Sequence, residues 1–224
     1  DHATHQFWNT ETMRILITAG PTREYIDPIR YISNASSGRM GFAVAQAAVN
    51  AGHDVTLISG PVSLLTPPGV TRASFVTVDE LQSAVDEHFD SCDVLIMAAA
   101  VGDFTVANPL PQKLSRKNGP ITLKLKPTSD ILAAVAAGKT PTQTIVAFAV
   151  KDGSREEIET KARAEQISKN ADFTVANTID AMGKDQSLAC IIEANREEPA
   201  VKWAHRPKTE LAQKIVELLE ARVR

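Results

Sequence analysis

An α/β fold with a mainly parallel sheet between two layers of helices is what the sequence predicts, and three observations predict it. Short apolar runs bounded by Gly, Pro or Asp alternate with amphipathic segments from Met13 to the C terminus. The runs are apolar at nearly every position, as strands covered on both faces must be. Neither an internal repeat nor a low-complexity tract breaks the alternation; only a charged, aperiodic arm at residues 105–128 does so. With 224 residues the chain fits one large domain, so residues 13–224 read as a single unit and residues 1–12 as a linker or terminal extension.

Taken in order, "MRILITAG" from Met13 to Gly20 is a buried strand and residues 40–52 form a helix carrying Phe42, Val44, Ala45, Ala48 and Val49, stopped by Gly52. "DVTLISG" from Asp54 is the next strand, which completes a strand–loop–helix–strand unit. Residues 70–78 read as a strand, residues 78–89 as a helix entered at Asp79, and residues 92–101 as a strongly apolar strand. A helix follows over 129–139 with Ser129 as its N-cap, then a strand over 143–150, a helix over 154–170 and a strand over 172–179. The chain closes with "SLACIIEA" and an amphipathic helix from Lys208 that places Leu211, Ile215, Leu218 and Leu219 on one face. Right-handed crossovers make such a pattern Rossmann-like. In the arm, "ITLKLK" alternates as a half-exposed strand would, and its Lys113, Arg116, Lys117, Lys124 and Lys126 either cover an anion or another subunit, or form a solvated hairpin.

Composition narrows the function classes. The 43% hydrophobic and 23% charged content with net charge −3 gives no basic surface for nucleic acid. Two cysteines, Cys92 and Cys190, make no disulfide framework and point to a reducing cytoplasm. No run reaches the ~18 apolar residues of a membrane span, and His2 and His5 near the start read as solvated.

Chemistry is expected in the loops beyond the carboxyl ends of the strands. After the first strand, a long polar segment delays the helix and ends in "SSGRMG", where Gly20, Ser36, Ser37, Gly38 and Arg39 can bring backbone N–H groups and a helix N-terminus to a phosphate; a plain N-cap is the competing reading. After the apolar strand at 92–101, Ala98, Ala99 and Ala100 let a flat ring approach the backbone, and Asp103 can accept from sugar hydroxyls or assist a metal ion; a strand-end alanine run with an N-cap aspartate is the competing reading. Ser129, Asp130, Ile131 and Leu132 open another helix, and Phe148 either flanks a base or packs in the core. The dinucleotide fingerprint, the P-loop, the nucleophile elbow and clustered metal ligands are all missing from the sequence, which favours nucleoside triphosphate chemistry over hydride transfer or hydrolysis. No metal-ligand set is assignable.

The segment "ILITAGPTREYIDPIRYISNASSGRMG" closely resembles the signature of phosphopantothenoylcysteine synthetases, and the likeness extends from Met13 to the last helix. The resemblance implies a ligase of coenzyme A biosynthesis, in many bacteria half of a bifunctional protein whose other half is a flavin-dependent decarboxylase. It implies that 4'-phosphopantothenate and L-cysteine are joined through an acyl-nucleotidyl intermediate, with CTP (or ATP) and Mg²⁺, by a homodimer. By motif, Asn34 matches the asparagine that handles that intermediate; Ala99, Ala100 and Asp103 match a nucleotide-binding segment; Lys113 matches the first lysine of a flap reaching the neighbouring subunit's site. Ser129 to Leu132, Phe148 and Lys169 match further nucleotide contacts. The flap departs from the pattern at Ser115 and Arg116, and Ser187 stands where an Asn is common. Lys151 replaces the usual Glu, while Glu165 replaces a nucleotide-binding Lys, so a compensated charge swap is expected. A nicotinamide-dependent oxidoreductase and a non-catalytic nucleotide-binding domain are the alternatives.

Overall fold

A computed structural model describes residues 11–181 and 183–223. Residues 1–10 of the expected linker, with His2 and His5, lie outside the described residues. The chain opens with β1 (Arg14–Ala19), a small hairpin of β2 (Arg23–Tyr25) and β3 (Tyr31–Ser33), then α1 (Arg39–Asn50). Next come β4 (Asp54–Ser59), β5 (Thr71–Ser74), α2 (Val78–Phe89) and β6 (Val94–Met97), followed by the arm strands β7 (Phe104–Val106) and β8 (Leu125–Pro127). The second half holds α3 (Ile131–Ala137), β9 (Thr144–Lys151), α4 (Arg155–Ser168), β10 (Phe173–Thr178), β11 (Gln186–Glu193), β12 (Val201–Pro207) and α5 (Lys208–Val223).

Eight strands form one sheet in the order β5-β4-β1-β6-β9-β10-β11-β12, parallel from β5 to β10 and closed by the antiparallel β11 and β12. Alternate residues of each strand serve opposite layers. Ile15, Ile17 and Ala19 join the cluster packed under α1 and α5, whereas Leu16 joins Leu81, Val85, Ile131 and Val135 of α2 and α3 on the other side. α4 covers that second face farther along, with Ile158 and Ala162 against Ala149, Ala176 and Cys190. The expected three-layer Rossmann-like fold is therefore the observed one.

Two local features set α1. Gly52, at φ 89°, terminates the helix: its N–H donates to the Val49 carbonyl (2.9 Å) while His53 N–H reaches Ala48 (3.1 Å), which satisfies the last carbonyls. At the other end Gly41 lets the helix lie on β1, since a Cβ there would sit 2.5 Å from the Ala19 Cβ.

Four expectations shift. α2 starts at Val78, because Thr77 rather than Asp79 accepts the capping bond, from Glu80 N–H at 3.2 Å. α3 is capped by Asp130 and not by Ser129: Asp130 is extended, and its Oδ1 accepts from Ala133 N–H at 3.1 Å. The apolar strand ends at Met97, so Ala98 to Val101 belong to the loop beyond β6. In the arm only Leu125–Pro127 pairs, with Phe104–Val106, because Pro109 and Pro111 remove the donors a longer partner strand would need. The edge strand β12 and the β2–β3 hairpin inside the polar segment are additions that the apolar-run pattern did not reveal.

Candidate functional site

The strand order reverses between β1 and β6, and a crevice opens beyond their carboxyl ends. The two loops leaving these strands are stitched together. Ala99 N–H donates to Thr18 Oγ1 (3.1 Å), Ala100 N–H to the Gly20 carbonyl (2.9 Å), and Gly102 N–H to Thr22 Oγ1 (3.0 Å). Asn34, from the end of the first loop, donates its side-chain N–H to the Val101 carbonyl (2.9 Å). The small residues at 98–100 thus form a backbone floor held on both sides.

Two adjoining hollows share Ala99, Ala100, Phe148 and Val150. The larger, about 420 Å³, brings together Asn34, Ala99, Ala100, Asp103, Ser129, Asp130, Ile131, Leu132, Phe148 and Lys169, residues drawn from four separate loops and from β9. The smaller, about 110 Å³, is lined by Ser36, Ser37, Gly38 and Arg39 at the start of α1. Gly38 caps that helix at φ 76° without a side-chain bond, so the first-turn N–H groups receive no capping side chain there. Gly20 lines neither hollow; it turns the chain at φ 81° beneath them. Lys113 also lines neither: it is exposed on the arm.

Both lysines of the larger hollow are paired with carboxylates. Lys151 forms an ion pair with Glu165, and Lys169 Nζ lies 3.4 Å from Asp130 Oδ2. Asp103 is exposed at the rim. Among the described residues no cluster of three or more His, Cys, Asp or Glu side chains could cage a metal. A Mg²⁺ carried in by phosphate oxygens needs only one or two carboxylates from the protein, and Asp103 fits that requirement.

The smaller hollow contains groups that the sequence did not single out. Lys208, 8% exposed, donates from Nζ to the carbonyls of Ala181 (2.9 Å) and Lys184. Burial, then the nearby Arg39 charge, push its pKa down against the opposing pull of Asp185. Arg39 donates to Asp185 Oδ1 (2.7 Å) and to the Gly183 carbonyl (3.3 Å). Asn177, at the end of β10, keeps a buried Oδ1 without a hydrogen-bond partner. A polar residue closing an apolar strand was a readable signal for Asn177; a lysine at the head of an amphipathic helix looks solvated, and Lys208 carried none. Asp27 and Arg30 were also passed over, although Asp followed by acceptor-seeking N–H groups at the next two or three positions is a turn signal. Cys92 and Cys190 are free and buried, and burial pushes both thiols up to about 12, far from the range of a reactive thiolate.

Comparison with known proteins agrees with this geometry. Residues 10–222 match the family described as DNA/pantothenate metabolism flavoprotein C-terminal domain. The coenzyme A biosynthesis bifunctional protein CoaBC of Escherichia coli (strain K12) is 44% identical over 170 residues, 75% of this chain and 41% of that protein. Its counterpart in Bacillus subtilis (strain 168) is 43% identical over 176 residues, 77% of this chain and 42% of that protein. The chain therefore spans about two fifths of the length of these relatives. Among solved structures, the crystal structure of the C-terminal domain of CoaBC superposes with a TM-score of 0.78 at 33% identity, over 95% of this chain and 98% of that one. With nearly its whole length matched, the chain belongs to the DNA/pantothenate metabolism flavoprotein C-terminal domain family.

Proposed function

We propose that this chain is the phosphopantothenate–cysteine ligase unit of coenzyme A biosynthesis. The observation that carries the reading is the convergence, at the switch point of the sheet, of Asn34 with Ala99, Ala100, Asp103, Phe148 and Lys169 in one hollow beside an open helix N-terminus. The pattern suits a substrate with two anionic ends. The nucleotide occupies the larger hollow, its base beside Phe148 and its ribose near Asp103, and the α1 N-terminus receives a phosphate.

A carboxylate oxygen of 4'-phosphopantothenate attacks the α-phosphorus of CTP, the bond to the bridging oxygen breaks, and pyrophosphate leaves. The amine of L-cysteine then adds to the acyl carbon, loses a proton and expels CMP, leaving the amide. Asp103 would help to hold a Mg²⁺, which would supply charge neutralisation to the triphosphate. Asn34 is held by Val101, which leaves its carbonyl oxygen for the intermediate, and Lys113 and Lys169 supply cations to the phosphates. CTP is the proposed nucleotide, with ATP the competitor to be compared directly.

The chain acts as a homodimer in the cytoplasm, with a decarboxylase half as the natural partner. Exposed Tyr25, Tyr31 and Phe104 on the two small hairpins, and a Lys113 outside its own chain's hollows, support a partner subunit at the arm. Two free thiols fit a reducing compartment. Among the described residues no helix is long and apolar enough to cross a membrane. Incubation with 4'-phosphopantothenate, Mg²⁺ and CTP without cysteine should yield the acyl-cytidylate, seen by mass spectrometry, together with pyrophosphate; nucleotide hydrolysis without an acyl adduct would contradict the reading.

A further inference from the structure

Asp27 is a carboxylate with no side-chain exposure, and it accepts more hydrogen bonds than its own turn requires. Oδ1 takes the N–H groups of Ile29 (2.9 Å) and Arg30 (2.8 Å), which is the ordinary pattern of an aspartate closing a turn. Oδ2 takes the Arg30 guanidinium (2.5 Å) and, from far along the chain, the backbone N–H of Leu114 (3.1 Å). Arg30 in turn donates to the Leu114 carbonyl (3.1 Å). Both backbone groups of one arm residue are thus held by an ion pair in the first loop. A third tie, Leu110 N–H to the Ile26 carbonyl (2.8 Å), lies nearby. Beyond the short β7–β8 ladder, residues 108–123 make few other backbone bonds to the body of the protein.

We propose that Asp27 is a positioning residue which, through Leu114, fixes the arm in one register against the first loop and so holds Lys113 where the reaction needs it. This rests on the reading of Lys113 as a phosphate-binding cation given above. A long loop fastened only at its base samples many conformations, and a lysine on it is misplaced by more than an ångström in most of them. Asp27 has the chemistry to prevent this. An ionised carboxylate accepts at both oxygens, and its burial makes each donor costly to withdraw. An Asp27→Asn side chain keeps the turn but presents an amide N–H₂ to Leu114 N–H and to the guanidinium, so the arm contact is lost while the first loop retains its shape.

The test combines a measurement on the unaltered chain with a double-mutant cycle. In the wild-type protein the Leu114 amide should exchange with deuterium far more slowly than the amide of the exposed Arg116; exchange at the same rate would overturn the clasp whether or not Lys113 has a catalytic role. For Asp27→Asn, trypsin should cut after Lys113 and Arg116 in a protein whose melting transition persists. Ligation turnover should fall by up to about a hundredfold, the cost of an ångström-scale misplacement. In a Lys113→Ala background the same change should cost less than about twofold, because residues acting as one unit are not additive. Equal costs in both backgrounds would sink the positioning role. A Lys113→Ala variant with wild-type turnover would instead remove the reading on which it rests, and with it the proposal.

Discussion

At the scale of single residues, the amide of Asn34 is divided between two tasks. One of its N–H groups is committed to the Val101 carbonyl, and its oxygen makes no hydrogen bond at the hollow among the described residues. Asn34→Asp would set a carboxylate against that carbonyl and add a negative charge beside the phosphates. The folded protein should survive, with circular dichroism and melting close to wild type, while ligation turnover falls about a hundredfold, the cost of displacing the reacting groups by an ångström. Lys151 and Glu165 invite a second substitution. Lys151 and Glu165 form an ion pair at the edge of the larger hollow, and the expected swap requires Lys151 to exchange that carboxylate for a phosphate. Lys151→Ala should weaken CTP binding about tenfold, the size of one charge-assisted hydrogen bond, in a calorimetric titration. Unchanged affinity would show that the swap is unconnected with the nucleotide. A third expectation concerns acid. Burial pushes the Asp27 carboxyl up, but the N–H groups of Ile29, Leu114 and Arg30 and the Arg30 charge outweigh it, and the pKa is held at about 2 against an ordinary 3.8. A folded-state pKa below the unfolded one stabilises above the unfolded value, so this contribution is complete above about pH 4 and disappears as pH falls towards 2. The stability advantage of the wild-type chain over Asp27→Asn, read as the difference between their urea midpoints, should shrink as pH falls through that window, and a difference that does not change with pH would contradict it.

At the scale of elements, α1 joins fold to chemistry because its N-terminus faces the smaller hollow and its first turn lies against β1. Gly41→Ala would force a Cβ into the Ala19 side chain and push the helix off the sheet. The cost should be about 1–3 kcal/mol of stability, the usual range for overpacking, read as a lower urea midpoint with activity falling alongside it. The elements most legible from the sequence were those with the least choice. β1, β4, β6 and β9 carry mostly apolar runs because they are covered on both faces. β12 was invisible for the opposite reason: an edge strand with alternate half-buried and exposed residues resembles a loop unless its neighbour is known. The caps moved by one or two residues where neighbouring side chains, Thr77 and Asp79 or Ser129 and Asp130, offer the same acceptor chemistry and only the backbone angles decide. The loops that line the larger hollow were legible by motif; Lys208 and Asn177, which enter the smaller hollow from α5 and β10, depend on the packing of distant segments.

At the scale of the molecule, the ligase reading requires the arm to complete a site. If Lys113 serves the neighbouring subunit, mixing Asn34→Asp with Lys113→Ala chains should restore about a quarter of wild-type activity, since half the dimers are mixed and each has one intact site. No recovery after subunit exchange would place Lys113 in its own chain's site. The charge of the whole hollow argues in the same direction: its lysines are already paired with carboxylates, so under the ligase reading a triphosphate would need further cations, the role proposed for Mg²⁺ and the arm. The most direct test of the account is pyrophosphate release by the intact chain with 4'-phosphopantothenate, Mg²⁺ and either CTP or ATP, with and without L-cysteine. The account predicts release that depends on phosphopantothenate, is faster with CTP, and accelerates with cysteine as one CMP forms per amide. No release with either nucleotide from folded protein, or release indifferent to phosphopantothenate, would contradict it.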